Sequence, residues 1–402
     1  MNNTIKKKIV AIIVVIVVLS HIILSGSLIQ IPKEMYWAIC YQLEHNEDAS
    51  FYGKFNSVMK GIRNYSTINQ PLSKNDVNIW IDVYGICVKY QDLYRLQNAN
   101  HRIVRLLNDS LSVCIDYDDM TAISNDLISF KKYLDQRGIP MLYVIAPHKN
   151  YKYHSLAPHG AMDFETENCN RMISQIKGRV PYIDNRELFK NNPEKHYQLF
   201  YMGNSHWKSQ YAFFSYCQIM QYLEERYQIR FEQKLGSIEN FSIYPVEGFG
   251  DLSDQYGRFY LPQEDFLYMK PKFKTHLRIL SNNNGYNIDK VDYSGEFNME
   301  LLAKNYMELR VSNPNAVNKK KLMIIGDSFS PPVMSFLCLS FEQVEYHATN
   351  YFKGSLRSDI EKFQPDYVIC IFTSRQTALP IFKEFSKELK SSSIPSTASQ
   401  PL

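Results

Sequence analysis

The chain has 402 residues, 45% hydrophobic and 21% charged, the balance of a globular protein and not of a disordered one. Its 45 basic and 41 acidic residues leave a formal net charge of +4, too small for this length to argue for a nucleic-acid partner. The seven cysteines (40, 87, 114, 169, 217, 338 and 370) form no C-x-x-C pair and have no histidine at metal-ligand spacing, so no metal site or cofactor is expected. Cys87 and Cys370 lie in apolar, strand-like runs and read as buried thiols. The odd count excludes a fully paired framework but leaves one or two bridges open. The 29 tyrosines and 23 phenylalanines suit sugar stacking, although ordinary packing also explains them.

In chain order, Lys6-Lys7-Lys8 precedes an apolar run, residues 9–24, extended through residue 29. About twenty residues suffice to span a bilayer, and the basic flank keeps the amino terminus in the cytoplasm, exporting the rest. A cleaved signal peptide is the rival reading, since Ser25-Gly26-Ser27 supplies small residues. The length and the lack of an Ala-x-Ala site favour an anchor, and both readings place the bulk outside the cytoplasm. Residues 1–31 are thus the anchor, 32–75 a membrane-proximal connector, 76–390 the main domain and 391–402 a disordered Ser-, Pro- and Thr-rich tail.

The main domain opens with two strands around Gly85, residues 79–88. Residues 119–138 form a helix stopped by Gly138 and Pro140. A buried strand (141–147), a helix (163–177) and a strand (180–184) then make a β-α-β unit, the mark of a parallel sheet. A helix beginning at Trp207 runs to about 226, with Ala212, Tyr216, Ile219 and Leu223 on one stripe. Residues 229–320 break the alternation. Strands at 266–270 and 275–280 and a turn at 282–285 indicate an antiparallel insertion beside the site. Strands at 343–348 and 367–372, with helices at 355–363 and 377–390, resume the pattern. The expected fold is a doubly wound α/β parallel sheet with a β-rich insertion.

The segment from Lys321 to Pro332 organises the domain. Leu322-Met323-Ile324-Ile325 reads as a strand buried on both faces. Gly326 permits a sharp turn, and Pro331-Pro332 fits the first turn of a helix. Ser328 therefore lies at the carboxyl end of a strand before a helix amino terminus, where open sheets bind ligands and free N–H groups can hold an oxyanion. It is a candidate nucleophile, given a base. His206, in the polar turn Gly203-Asn204-Ser205-His206, is the candidate base. Such pairs are recognised by geometry, not by sequence order.

These motifs carry a resemblance. Gly326-Asp327-Ser328-Phe329 resembles the nucleophile block of SGNH hydrolases. Asn204-Ser205-His206-Trp207 is similar to the Asp-x-His-Trp block of AlgX/AlgJ-type SGNH-like acetyltransferases and their DHHW-protein relatives. Pro147-His148-Lys149, Tyr182-Ile183-Asp184, Gly250-Asp251-Leu252 and Pro365-Asp366-Tyr367-Val368 leading to Arg375 follow in the family's order. The resemblance implies an O-acetyltransferase acting on an exported or cell-surface polysaccharide. It implies Ser328, His206 and Asn204 as the catalytic set, and an acetyl donor delivered by a multipass membrane acyltransferase. Arg375, Lys149, Trp207 and Asp327 are the candidate substrate-binding residues, with a packing anchor the other reading of Trp207, a solvated lysine that of Lys149 and a surface charge that of Arg375. Asn204 departs from the family's Asp, and three readings follow. Asn204 orients His206 without charge, or Asp184, Asp251 or Asp327 supplies the charge, or the site binds polysaccharide without turnover. An esterase with water as acceptor uses the same residues.

Overall fold

The computed structural model describes residues 102–108, 110–115, 117–157, 163–246, 264–282, 308–349, 352, 354–375 and 379–392. The expected anchor, the connector, the strands at 79–88, Asp251 and the turn beyond Asn282 lie outside these residues. All described residues fall in the unit Asp82–Leu402, and among them no helix is long and apolar enough to cross a membrane.

A short hairpin, β1 (Arg102–Arg105) and β2 (Leu111–Cys114), comes first, followed by α1 (Thr121–Asp135), β3 (Met141–Ala146), α2 (Glu165–Ile176) and β4 (Tyr182–Asp184). Next come α3 (Pro193–Gln198), α4 (Ser209–Tyr227), α5 (Gln233–Gly236), β5 (Phe241–Val246), β6 (Phe266–Pro271), β7 (Arg278–Asn282) and β8 (Glu308–Ser312). The carboxyl-terminal part holds β9 (Asn318–Gly326), α6 (Ser330–Ser340), β10 (Phe341–Ala348), α7 (Leu356–Phe363), β11 (Tyr367–Thr373) and α8 (Pro380–Ser392). Among the described residues a seven-stranded sheet runs in the order β4-β3-β11-β9-β10-β8-β7. The strands from β4 to β10 are parallel, whereas β8 and β7 are antiparallel additions at one edge.

The parallel strands read as unbroken apolar runs because both of their faces are covered. Leu142, Val144, Leu322, Ile324, Ile369 and Ile371 enter one core, shared with α4 and α6. Their alternates Tyr143, Ile145, Met323, Ile325, Cys370 and Phe372 enter a second, shared with α1, α2, α7 and α8. The stripe read on α4 is buried throughout: Ala212, Tyr216, Ile219 and Leu223 are at most 1% exposed. Gly138 ends the α1 segment at φ +68°, a backbone conformation that favours glycine.

The doubly wound arrangement and its carboxyl edge are as expected. Three details differ. The segment 229–320 is not one separate insertion: β5 and β6 form a hairpin of their own, but β7 and β8 extend the main sheet by pairing onto β10. The helix after His206 starts at Ser209, while Trp207 forms an antiparallel bridge with Phe200. The last helix continues through Ser392, just into the expected tail. The described cysteines 114, 169, 217, 338 and 370 are free thiols.

Gly326 serves a different need from the sharp turn expected of it. A Cβ there would stand 2.5 Å from the Ile371 carbonyl oxygen and 2.5 Å from Ser330 Oγ, so the residue permits the close approach of β9 to β11. Gly326→Ala is expected to destabilise the domain by about 3 kcal/mol or more in urea unfolding. An unchanged unfolding midpoint would show that the contact can relax.

Candidate active site

The nucleophile turn is tied to the sheet by its carboxylate. Asp327 Oδ1 accepts the Phe329 N–H at 2.9 Å, and Oδ2 accepts the Thr373 N–H at 2.8 Å from β11. The Asp327 carbonyl accepts the Ser330 and Tyr346 hydroxyls, and its N–H donates to Ile371 O at 3.2 Å. These bonds hold the turn at the end of β9 and leave Ser328 partly exposed. Ser328 N–H meets no acceptor among the described residues. Pro331 and Pro332 occupy the first turn of α6, as expected.

His206 is brought to this hydroxyl from far along the chain. Its Nε2 lies 2.7 Å from Ser328 Oγ, and its Nδ1 lies 2.7 Å from Asn204 Oδ1. Asn204 Oδ1 also accepts the backbone N–H of His206 at 2.9 Å, an Asx turn. That second bond settles two assignments usually left open for an amide and an imidazole. A backbone N–H can only donate, so the atom facing it must be the amide oxygen. Nδ1, which meets the same oxygen, must then carry the proton. Nε2 is left with a lone pair aimed at Ser328, the form a general base requires. Ser205 Oγ stands 3.4 Å from Nδ1 on the same side.

The buried ring of Phe329 is the floor of the site. The His206 ring is 5.0 Å from it, the Trp207 ring 5.4 Å, and Arg375 Cζ 5.8 Å. Arg375 is half-buried just past the end of β11 and lies beside the Phe329 ring. The other three candidate substrate-binding residues are corrected. Trp207 is 2% exposed and packs on Phe329 and Tyr211, a support behind the site and not a pocket wall. Asp327 is 3% exposed with both carboxylate oxygens on backbone N–H groups, so it shapes the turn instead of touching substrate. Lys149 is 1% exposed. Its ammonium reaches the carbonyl oxygens of Leu111, of Met202 at 3.2 Å and of Asn204 at 2.6 Å, and so faces the protein interior. Sequence reasoning gave Phe329 and Ser205 no role of their own. Their adjacency to Ser328 and His206 was the available signal.

Of the acids read as alternatives to Asn204, Asp184 pairs with Arg186 at 2.9 Å and Asp327 accepts two backbone N–H groups. Around the site several groups are held neutral by burial. His148, next to Lys149, is pushed well below the usual histidine range by burial and then by the Arg375 and Lys149 charges. His196 falls to about 3 through burial, with Nε2 on the Lys149 carbonyl at 3.0 Å and Nδ1 on Tyr211 OH at 3.2 Å. Glu165, at the start of α2, is lifted to about 7 by burial against the pull of Arg186. No group of His, Cys, Asp and Glu able to hold a metal occurs among the described residues.

No protein-family model matches the chain, and no curated protein matches it. Several solved structures do match in fold. PatB1 of Bacillus cereus is similar with a TM-score of 0.56 at 18% identity, over 70% of this chain and 99% of that one. The same protein with a sulfonyl adduct gives 0.58 at 18% identity, over 70% and 98%. A DHHW family protein from Eubacterium siraeum gives 0.55 at 14% identity, over 72% and 96%. At such identities the shared property is the fold.

Glu165 makes stability depend on pH. The folded carboxyl keeps its proton up to about pH 7, whereas its ordinary value is 4.5. Its contribution is therefore full below pH 4.5 and is lost as the pH rises to about 7. Glu165→Gln removes that titration and is expected to gain roughly 3 kcal/mol over wild type at pH 8, but little at pH 4.5, in chemical denaturation. A gain equal at both pH values would contradict the assignment.

Proposed function

We propose that the domain is an O-acetyltransferase working through a Ser328 acyl-enzyme, with an exported or cell-surface polysaccharide as acceptor. The observation that carries this is the Ser328 Oγ–His206 Nε2 contact of 2.7 Å, with the imidazole tautomer fixed by Asn204. The acetyl chemistry and the polymer rest on the motif resemblance, and the fold likeness to PatB1 and the DHHW family protein agrees with it. The same reading has the apolar run at 9–29 anchoring the domain outside the cytoplasm, with a multipass membrane acyltransferase delivering the acetyl group.

In the first step Nε2 takes the Ser328 proton as Oγ bonds to the carbonyl carbon of an acetyl ester or thioester donor. The Ser328 N–H and a neighbouring donor steady the oxyanion, each worth about 3–4 kcal/mol in a dry site. The donor's C–O or C–S bond then breaks, and the imidazolium returns the proton to the leaving group. In the second step the neutral imidazole takes a proton from a sugar hydroxyl, which attacks the acetyl-enzyme. Ser328 leaves and recovers that proton.

Asn204 favours a tuned site over a silent one. In serine proteases the equivalent Asp-to-Asn change costs roughly four orders of magnitude because the imidazole adopts the wrong tautomer. Here the His206 backbone N–H forces the amide oxygen inward, so the tautomer is right and the missing quantity is the charge. A hydrogen bond to an ionised acceptor exceeds a neutral one by about 1–1.5 kcal/mol, which corresponds to about tenfold in rate. Asn204→Asp is therefore expected to raise the acetylation rate of Ser328 by about tenfold. A fall in that rate would show that the neutral amide is required.

Ser328→Ala is expected to abolish both the acetyl-enzyme, read by intact-protein mass spectrometry, and polymer acetylation. His206→Gln should slow acylation by roughly three orders of magnitude or more. Acetyl release that ignores added oligosaccharide would indicate an esterase. Oligosaccharide binding without any serine labelling would indicate a silent binding protein. Undiminished polymer acetylation in the Ser328→Ala protein would end the proposal.

A further inference from the structure

We infer that Lys149 is a positioning residue of this site: its buried ammonium fixes the carbonyl groups of Met202 and Asn204 and so holds the Asx turn in which the His206 N–H selects the Asn204 oxygen. The inference rests on the Ser–His reading above.

The His206 turn has little regular structure to hold it. Between α3 and α4 its backbone is joined by the Phe200–Trp207 bridge, by Tyr201 N–H to His206 O at 3.4 Å and by Lys208 N–H to Leu199 O at 2.7 Å. Residues 202–204 lie beyond that bridge, at the tip. Their peptide groups are instead claimed by charged side chains from elsewhere. Lys149 takes the Met202 and Asn204 carbonyls together with that of Leu111 on β2. Leu111 N–H also donates to Met202 O at 2.8 Å. From the opposite polarity, Glu264 Oε2 accepts the Gly203 N–H at 2.9 Å. The tip is thus fixed through its C=O groups by a cation and through an N–H by an anion.

Lys149 is suited to this because it lies three residues past the end of β3, one of the inner strands of the sheet. Its own carbonyl is held by His196 at 3.0 Å. An ammonium has three N–H donors converging on a point, and three carbonyl oxygens meet it here. Taking that charge out of water costs several kcal/mol, a poor exchange for packing that a Met would supply. The cost is intelligible if the charge aligns peptide dipoles that a neutral residue could not. Alignment matters most at Asn204, whose side chain has two nearly isosteric ends, of which the oxygen alone leaves Nε2 free to act as a base.

The test uses the full chain in detergent, with Lys149→Met, Lys149→Arg, Asn204→Ala and the corresponding double variants. Ser328 labelling by a sulfonyl fluoride reports activation of the hydroxyl whatever the natural acceptor, and ¹⁵N chemical shifts report the His206 tautomer without any reaction. Lys149→Met is expected to slow labelling at least tenfold and to lower the Nδ1–H fraction. In the Asn204→Ala background the same change should cost less than twofold, because the group through which Lys149 acts is already gone. Equal costs in the two backgrounds would overturn the inference, since a purely structural lysine lowers both alike. Should Lys149→Met fail to fold, Lys149→Arg keeps the charge but replaces a convergent donor set by a planar fork. It should then retain the fold and lose tautomer purity, and an unaltered tautomer in that variant counts equally against the inference. A wild-type chain that takes no label defeats the Ser–His reading instead, and the tautomer measurement still decides the role of Lys149.

Discussion

One oxygen atom decides what this site can do. Asn204 Oδ1 accepts two N–H groups of the same residue, the backbone amide and the ring Nδ1 of His206. The first is a donor under all conditions, and it dictates the second. A carboxylate oxygen and an amide oxygen meet this demand equally well in shape, and with the oxygen so placed the difference left at that atom is charge. The asparagine therefore places the ring proton as a carboxylate would and forgoes part of its electrostatic support.

The geometry around that atom is assembled from opposite kinds of material. The nucleophile side is regular: a strand, a carboxylate capping its own turn, and a helix opened by two prolines. The base side is an irregular turn held by side chains of distant origin, among them Lys149 and Glu264. Phe329 joins the two, since its ring touches both His206 and Trp207. Histidines 148 and 196 flank Lys149, and burial holds both neutral beside its ammonium.

Much of this was legible in the sequence where the cause is local. The apolar run ending in Gly326-Asp327-Ser328, the prolines after it, the α4 stripe and the β-α-β rhythm each follow from a short-range rule, and the structure has them in place. The polar residues at strand ends were harder. Lys149 and Asp327 sit at the ligand-binding edge, so position alone assigns them to substrate. Their actual partners are backbone groups of segments far off in the chain, which no local pattern announces. The same limit hid the fate of β7, read as part of an insertion, and of β8, not read as a strand at all: the pairing of β8 with β10 is a long-range register. Trp207 was half legible, for its packing is real while its place on the pocket wall is not.

The strand order has a consequence for the order of events during synthesis. β3 emerges early, yet its neighbours in the sheet are β4 and the last strand, β11, with Leu142 opposite Ile369. An inner seam of the sheet thus joins the first parallel strand to the final one. Until the ribosome has delivered that last strand, one apolar edge of β3 has no companion, and contacts so distant in sequence form slowly. That edge of β3 therefore stays open for more than half of the chain's translation, and truncation anywhere before β11 removes the keystone of the sheet along with the strand itself.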